Sequence, residues 1–559
     1  MTEDNDSREK AKNSELQRRL QILREELEAG HVKFASGLKV IESLKKVRYS
    51  LDGSVDLSTV DASVRSIALA VTHHRDREEM KKTHSLAEIQ NTYFDFLYKN
   101  FGVFYEIMVE RGLTPHDAGM AASENKDAVK SFAEDLPAFL ETIREFWNQL
   151  GDIAAAHVED MSGSLKGIFG GDLFPSAHEN IASKCGVYTD TIVLPDPFLR
   201  SLDLFSRWDP KQKTYYLVKH GLNLLQYREL ACADIYPPIV VILPEIETLN
   251  QSEKDFVTEL GTKDALVHAE TIYGRPFESL QDLMKYSNSL NTIDAVIAAA
   301  VSPSRIVFDV EWGGTLKDQL SRATKDIHAK LIGTSHPGIL VASQLVGRFG
   351  VTNELLLKAR RLRGTPIIDA PTSWQYLVWK LEYDAAKTER DLQLSDLHIV
   401  KGLQAAEDKT MQWLGRVPPK ALLEIRKSEA IPELRAIIGK GVEELANARP
   451  TDFHATGERV FHNIEAALAD HSKRIDELTA KRWRFAGVDI GSVLVTGTLA
   501  VTAAVTGSPE WTLAAYAADQ VLDPPKLKEL PDAIRKLKQE GRDLKQSPVG
   551  MLFKYKDAD

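Results

Sequence analysis

The sequence predicts a mainly α, multi-domain protein with a central α/β segment built on a small mixed or parallel sheet, and a C-terminal apolar helical hairpin. Three observations predict it. Apolar residues recur at helical spacing through most of 1–160 and 321–480. Short runs rich in Val, Ile and Thr, with Pro or Gly close by, alternate with helical patterns over 181–320. Ile490–Gly507 is a stretch of 18 residues without a charge.

At 559 residues the chain has room for roughly three to four domains. Hydrophobic residues at 43% and charged residues at 27% exclude a mainly disordered chain. Lys+Arg 70 against Asp+Glu 81 leaves a net charge of −11, so no nucleic-acid partner is expected. Cys185 and Cys232 are too few for a disulfide framework or a cysteine zinc site. The polar start, Met1–Asn13, has no apolar h-region, and a bacterial cytoplasmic location is expected.

Residues 1–160 read as a helical domain. Leu16, Leu20, Leu23 and Leu27 repeat at spacings of 4, 3 and 4, and Gly30 ends the run. This predicts a helix over 8–29 whose leucine stripe packs against another helix, in the same domain or in a partner. Further helices are expected over 57–79, 86–112, 125–150 and 151–160, and no strand before residue 180. Residues 161–180, with Gly163, Gly167, Gly170 and Gly171, read as a Gly-rich linker. They do not make a phosphate-binding loop, because Lys166-Gly167 stand in the wrong order and the following Ser/Thr is missing.

The α/β domain spans 181–320. Strands are expected over Tyr188–Leu194, Pro238–Leu243, Ala265–Ile272 and Arg305–Val310, with helices such as Thr214–Tyr227 and Pro276–Leu290 between them. Asp196, in Leu-Pro-Asp-Pro, and Asp309 with Glu311 fall at strand ends. They are the weak catalytic candidates, since α/β enzymes hold metal or acid–base groups rigidly at a sheet edge. A metal-dependent hydrolase or nuclease needs such carboxylates together, with a lysine nearby. Asp196 between two prolines is equally a turn residue. The 15 histidines are scattered, the adjacent His73 and His74 do not share a helical face, and no Gly-x-Ser-x-Gly occurs. No catalytic set, metal or cofactor is expected, and the zone reads as structural or for recognition.

Residues 321–480 return to helix, over Lys325–Phe349, Thr352–Arg363, Thr372–Thr388, Lys401–Leu414 and Glu458–Trp483. The last carries a seam of Phe461, Ile464, Leu468, Ile475 and Leu478, with His471 at the skipped position.

The hairpin occupies 481–523. Its first segment is built on Ile490, Val493, Leu494, Val495, Thr498, Leu499, Val501, Thr502, Val505 and Thr506. As a helix it is roughly 27 Å long, close to a bilayer core. Gly507–Glu510 turns the chain, and Trp511 opens a second, shorter apolar segment that Pro524-Pro525 ends. Lys481, Arg482 and Arg484, with Trp483 and Phe485, flank it on one side, and Lys526 and Lys528 on the other. Cations with aromatics are the pattern of a membrane interface, with both ends on the cytoplasmic side. Small residues and the stripe of Thr498, Thr502 and Thr506 fit either a protein core or a bilayer. The tail, 524–559, holds nine Lys+Arg against six acids and suits an anionic lipid surface or a solvated helix.

In layout, the N-terminal helices and the apolar hairpin resemble α-helical pore-forming toxins, in which amphipathic helices shelter an apolar hairpin until a trigger releases it. The resemblance implies a conditionally membrane-acting, non-enzymatic bacterial effector, toxin-like and of the kind found in antiviral defence. Its partners would be membrane lipid after release, and a protein or a second copy through the helices. The alternatives are a hydrolase or nuclease using the α/β acids, and a helical scaffold.

Overall fold

The structure is a computed structural model. It describes residues 2–32, 38–49, 55–161, 163–170, 181–245, 251–310, 312–325, 329, 333–386, 394–404, 417–448, 453–483, 539–540, 542–544 and 546–551. The described chain is mainly helical around one small parallel sheet, and it divides into two compact units.

The first unit comprises 1–89 and 149–160. Its first helix, Thr2–Glu28, ends at Gly30, whose φ of +74° is the left-handed conformation that closes a helix most cheaply with glycine. The leucine stripe packs as expected. Leu20 and Leu23 are buried against Val55, Val60, Val64 and Ala68, with Leu16 and Leu27 at the margin of the cluster. Val64 and Ala68 stand on Ala62–Thr83, a helix capped by Asp61, which accepts from the Val64 amide at 3.0 Å. Each fully buried leucine contributes about 1.5–3 kcal/mol. Gln17 fixes the loop at Val55 through both backbone groups, donating to its carbonyl at 2.6 Å and accepting from its amide at 2.9 Å.

The second unit comprises 90–148 and 161–559. Its strands are β1 (Lys166–Phe169), β2 (Thr191–Pro195), β3 (Val240–Leu243) and β4 (Thr365–Ile367). They are all parallel in the order β3-β2-β1-β4, with Gly167 opposite Ile192 and Thr365, and Val193 opposite Val241. Every strand residue is buried, as a parallel sheet covered on both faces requires. The chain builds outward from β1 to β3, then returns to the other side of β1 for β4. The order therefore reverses between β1 and β4, where open α/β sheets carry their ligand crevice. Gln90 covers the outer edge of β3 as Gln17 covers Val55: it donates to the Ile242 carbonyl at 3.0 Å and accepts from its amide at 2.8 Å.

Four expectations need correction. The stretch read as a linker supplies β1, the strand next to the switch point. Gly167 is there because a Cβ would stand 2.3 Å from Ile367 Cδ1 on β4. β4 comes from a region read as wholly helical. Ala265–Ile272 is not a strand but part of the helix Gln251–Tyr273: Ala265, Ala269 and Ile272 are fully buried, a spacing of one helical face. Arg305–Val310 alternates as a strand does, with Ile306 and Phe308 buried, yet joins no sheet. Local turns satisfy the Arg305 and Ile306 amides, and side chains satisfy much of the rest. His268 Nε2 donates to the Arg305 carbonyl (2.8 Å), Tyr376 Oη to that of Val307 (3.2 Å) and Gln344 Nε2 to that of Phe308 (3.2 Å), while the Val310 amide donates to Thr372 Oγ1 (3.0 Å).

Of the helices expected over 321–480, Thr372–Thr388 is found as Pro371–Ala386, and Lys401–Leu414 is described only to Gln404, the end of the helix Leu394–Gln404, its remainder lying outside the described residues. Pro337–Leu362 is one helix where two were expected around Gly350. The packing glycine is on the neighbouring helix: a Cβ on Gly261 would meet Gly350 Cα at 2.7 Å, whereas one on Gly350 would meet nothing within 4 Å. In Phe453–Trp483 the predicted seam is buried at Ile464 and Leu468, with His471, and half-buried at Phe461 and Ile475, while the Leu478 side chain is outside what is described.

Candidate functional site

The carboxyl ends of β2 and β3 carry the same short pattern, Leu-Pro-acid, at 194–196 and 243–245. Both acids are fully buried. Asp196 was singled out from the sequence; Glu245 was missed, although the repeated pattern after a Val/Ile run would have found it.

Asp196 opens the short helix Pro197–Arg200 as its N-cap. Its Oδ1 accepts from the Phe198 amide at 2.8 Å and the Leu199 amide at 3.0 Å, and its Oδ2 from Tyr93 Oη at 2.7 Å and Trp147 Nε1 at 2.6 Å. Burial raises its pKa above the ordinary aspartate value, against these four hydrogen bonds, which act downwards. With both oxygens doubly engaged, the carboxylate ties two long helices to the sheet edge.

Glu245 sits in a charge network. Its Oε1 faces Arg200 at 3.4 Å and its Oε2 faces Lys358 at 3.2 Å, while Arg200 also faces Glu354 at 3.8 Å. Arg200, Lys358 and Glu245 are each at most 5% exposed at the side chain. Burial pushes the Glu245 pKa up, but the charges of Lys358 and Arg200 outweigh it and hold the group below its usual range. Glu245 also shares a hydrogen bond with Glu354, so the buried charges are paired and hydrogen-bonded, the arrangement in which they are tolerated.

Of the predicted acids, Asp196 and Asp309 are described. Asp309 lies in the sheetless extended segment, half-buried, with Thr372 Oγ1 at 3.4 Å. Glu311 lies outside the described residues. Among the described residues no group of three or more His, Cys, Asp or Glu is placed to hold a metal ion. Burial pushes the Cys185 thiol up to about 12 and the Cys232 thiol up to about 11, so neither is a thiolate at neutral pH.

Of the residues assigned to membrane contact, Lys481, Arg482 and Trp483 form the last turn of Phe453–Trp483. Arg484, Phe485, the insertion residues from Ile490 to Trp511, and Lys526 and Lys528 lie outside the described residues. Among the described residues no helix is long and apolar enough to cross a membrane. No family model, no curated protein and no solved structure matches the chain.

Proposed function

We propose that the protein is a conditionally membrane-acting effector, working from the cytoplasmic side, whose apolar segment at 490–522 enters a bilayer when released. The observation that carries this reading is the run of 18 uncharged residues, Ile490–Gly507, in a hairpin preceded by Lys481, Arg482 and Arg484 with Trp483 and Phe485 and followed by Lys526 and Lys528. Its small and Thr-rich composition gains less from core burial than a Leu-rich helix does, which favours withdrawal. The α/β part supports the reading indirectly. Its strand-end acid Asp196 is committed to a helix cap and two buried donors, so the hydrolase alternative lacks a free first carboxylate.

The test pairs dye release from phosphatidylglycerol-containing vesicles with membrane potential in bacteria expressing the full chain. Leakage and depolarisation are expected. Ala500→Asp should abolish both, since a charge at the bilayer centre costs about 2.5–3.5 kcal/mol on the insertion scale. Ala500→Asp protein with an unchanged thermal melt makes that loss specific to insertion. If the native chain neither leaks vesicles nor depolarises cells under any releasing condition, mild acid and sub-denaturing urea included, the segment is a core element and the reading fails.

A further inference from the structure

Away from the sheet edge, a cavity of about 260 Å³ opens among the helices Leu86–Glu110, Lys126–Glu159 and Pro210–Leu225. Its floor is apolar and closed: Phe101, Phe139 and Leu217 are all buried. Phe132 makes a wall, its ring centroid 5.6 Å from that of Phe104 and 6.4 Å from that of Phe101. These rings leave a slot whose sides are aromatic faces. The mouth carries the exposed Asn100, Ser131 and Asp135.

The mouth is selective in sign. Asp135 is the single ionisable group among the lining residues, and its partner is the Ser131 hydroxyl at a long 3.5 Å. Asn100 donates one amide hydrogen to the Phe96 carbonyl at 2.8 Å and keeps its amide oxygen and a second N–H, so the sign of the mouth is set by Asp135. A carboxylate beside aromatic faces attracts a cation and repels an anion. The volume lies near the lower limit for ligand pockets, room for about one ring and a short chain.

We propose that this cavity binds a small hydrophobic amine in its protonated form, the apolar body against Phe101, Phe132 and Phe139 and the ammonium at Asp135. The site is independent of the membrane reading. The test is ligand-observed NMR titration of the full chain with three probes of matched size: 2-phenylethylamine, 2-phenylethanol and 3-phenylpropionate. The amine is expected to bind most tightly, with a dissociation constant of about 0.1–1 mM for so small a ligand, the alcohol more weakly and the acid least. Asp135→Asn should weaken the amine about fivefold, as an exposed ion pair allows, and leave the alcohol unchanged. Ala128→Trp, at the half-exposed rim, should fill the slot and remove all binding while the melt stays intact. Absence of binding by the amine, an acid that binds as well as the amine, or binding that survives Ala128→Trp would each overturn the proposal.

Discussion

β2 and β3 end in almost the same residues, and the two ends are built in opposite ways. After β2, Leu-Pro-Asp places a short carboxylate that folds back on its own helix N-terminus and is completed by two neutral donors, Tyr93 and Trp147. After β3, Leu-Pro-Glu places a carboxylate one methylene longer. Glu245 takes two cations from elsewhere in the chain, Arg200 and Lys358. Side-chain reach decides the chemistry: the aspartate spends one oxygen on its own helix N-terminus and the other on two neutral donors, whereas the glutamate depends on two cations.

Breaking the ionic end should have the larger effect. Lys358→Met fills similar volume but strands Glu245 with one cation, and a buried pair broken on one side costs about 3–5 kcal/mol. Urea denaturation should show that loss, and Lys358→Met with Glu245→Gln should recover much of it. A single variant that melts like the native chain would mean that the network is solvated.

Breaking the neutral end should cost less. Asp196→Asn keeps an oxygen for the Phe198 and Leu199 amides but turns an NH₂ toward the Trp147 N–H and Tyr93 hydroxyl. The buried Trp147 donor then lacks an acceptor, a loss of about 2–3 kcal/mol. Tyr93→Phe, which removes one donor and leaves three, should lose about half of that in the same denaturation measurement.

A third buried ionisable group has neither solution. His220 is 2% exposed and its Nε2 has no hydrogen-bond partner. Burial, with the nearby charge of Lys219, holds its pKa down to about 3. The folded state therefore keeps it neutral at pH values where the unfolded chain, near 6.5, takes up a proton. Stability is complete above pH 6.5 and falls as pH drops through the window from 6.5 toward 3, by up to about 1.4 kcal/mol per unit. His220→Phe keeps the ring contacts with Phe198 and Tyr216 and removes the titration, so its melting temperature should fall less between pH 7 and pH 5 than that of the native chain. Parallel curves would show that His220 does not contribute to the acid sensitivity.

These contrasts also show where sequence reasoning reaches. The leucine stripe of the first helix, the strands at 191–195 and 240–243 and the long helix ending at Trp483 follow local periodicity, and they were legible. β1 and β4 were not. Each is four residues or fewer and buried on both faces, and β1 contains a glycine whose reason is the close approach of Ile367 and Thr189, both distant in sequence or outside the strand. Arg305–Val310 misled for a related reason: alternation reports burial on one side, and here side chains rather than a strand occupy the other. At the sheet edge, Asp196 was legible as a position but its buried donors were not, because Tyr93 and Trp147 are distant in sequence.

The smallest effect sharpens the comparison from outside it. In the first unit Arg18 meets Asp76 at 3.1 Å, with the two side chains 51% and 34% exposed. The separation is as short as that of Glu245 and Lys358, but water screens both charges, and holding two long side chains in one geometry offsets much of the attraction. Arg18→Ala should therefore shift the denaturation midpoint by an amount near the resolution of the measurement. What little it does should vanish in 1 M NaCl, where the screening length falls to about 3 Å. The Lys358→Met loss should persist in the same salt, because ions do not enter a site where Glu245 and Lys358 are 2% and 3% exposed. A salt-independent loss at Arg18, or a salt-erased loss at Lys358, would show that exposure is not what separates the two pairs.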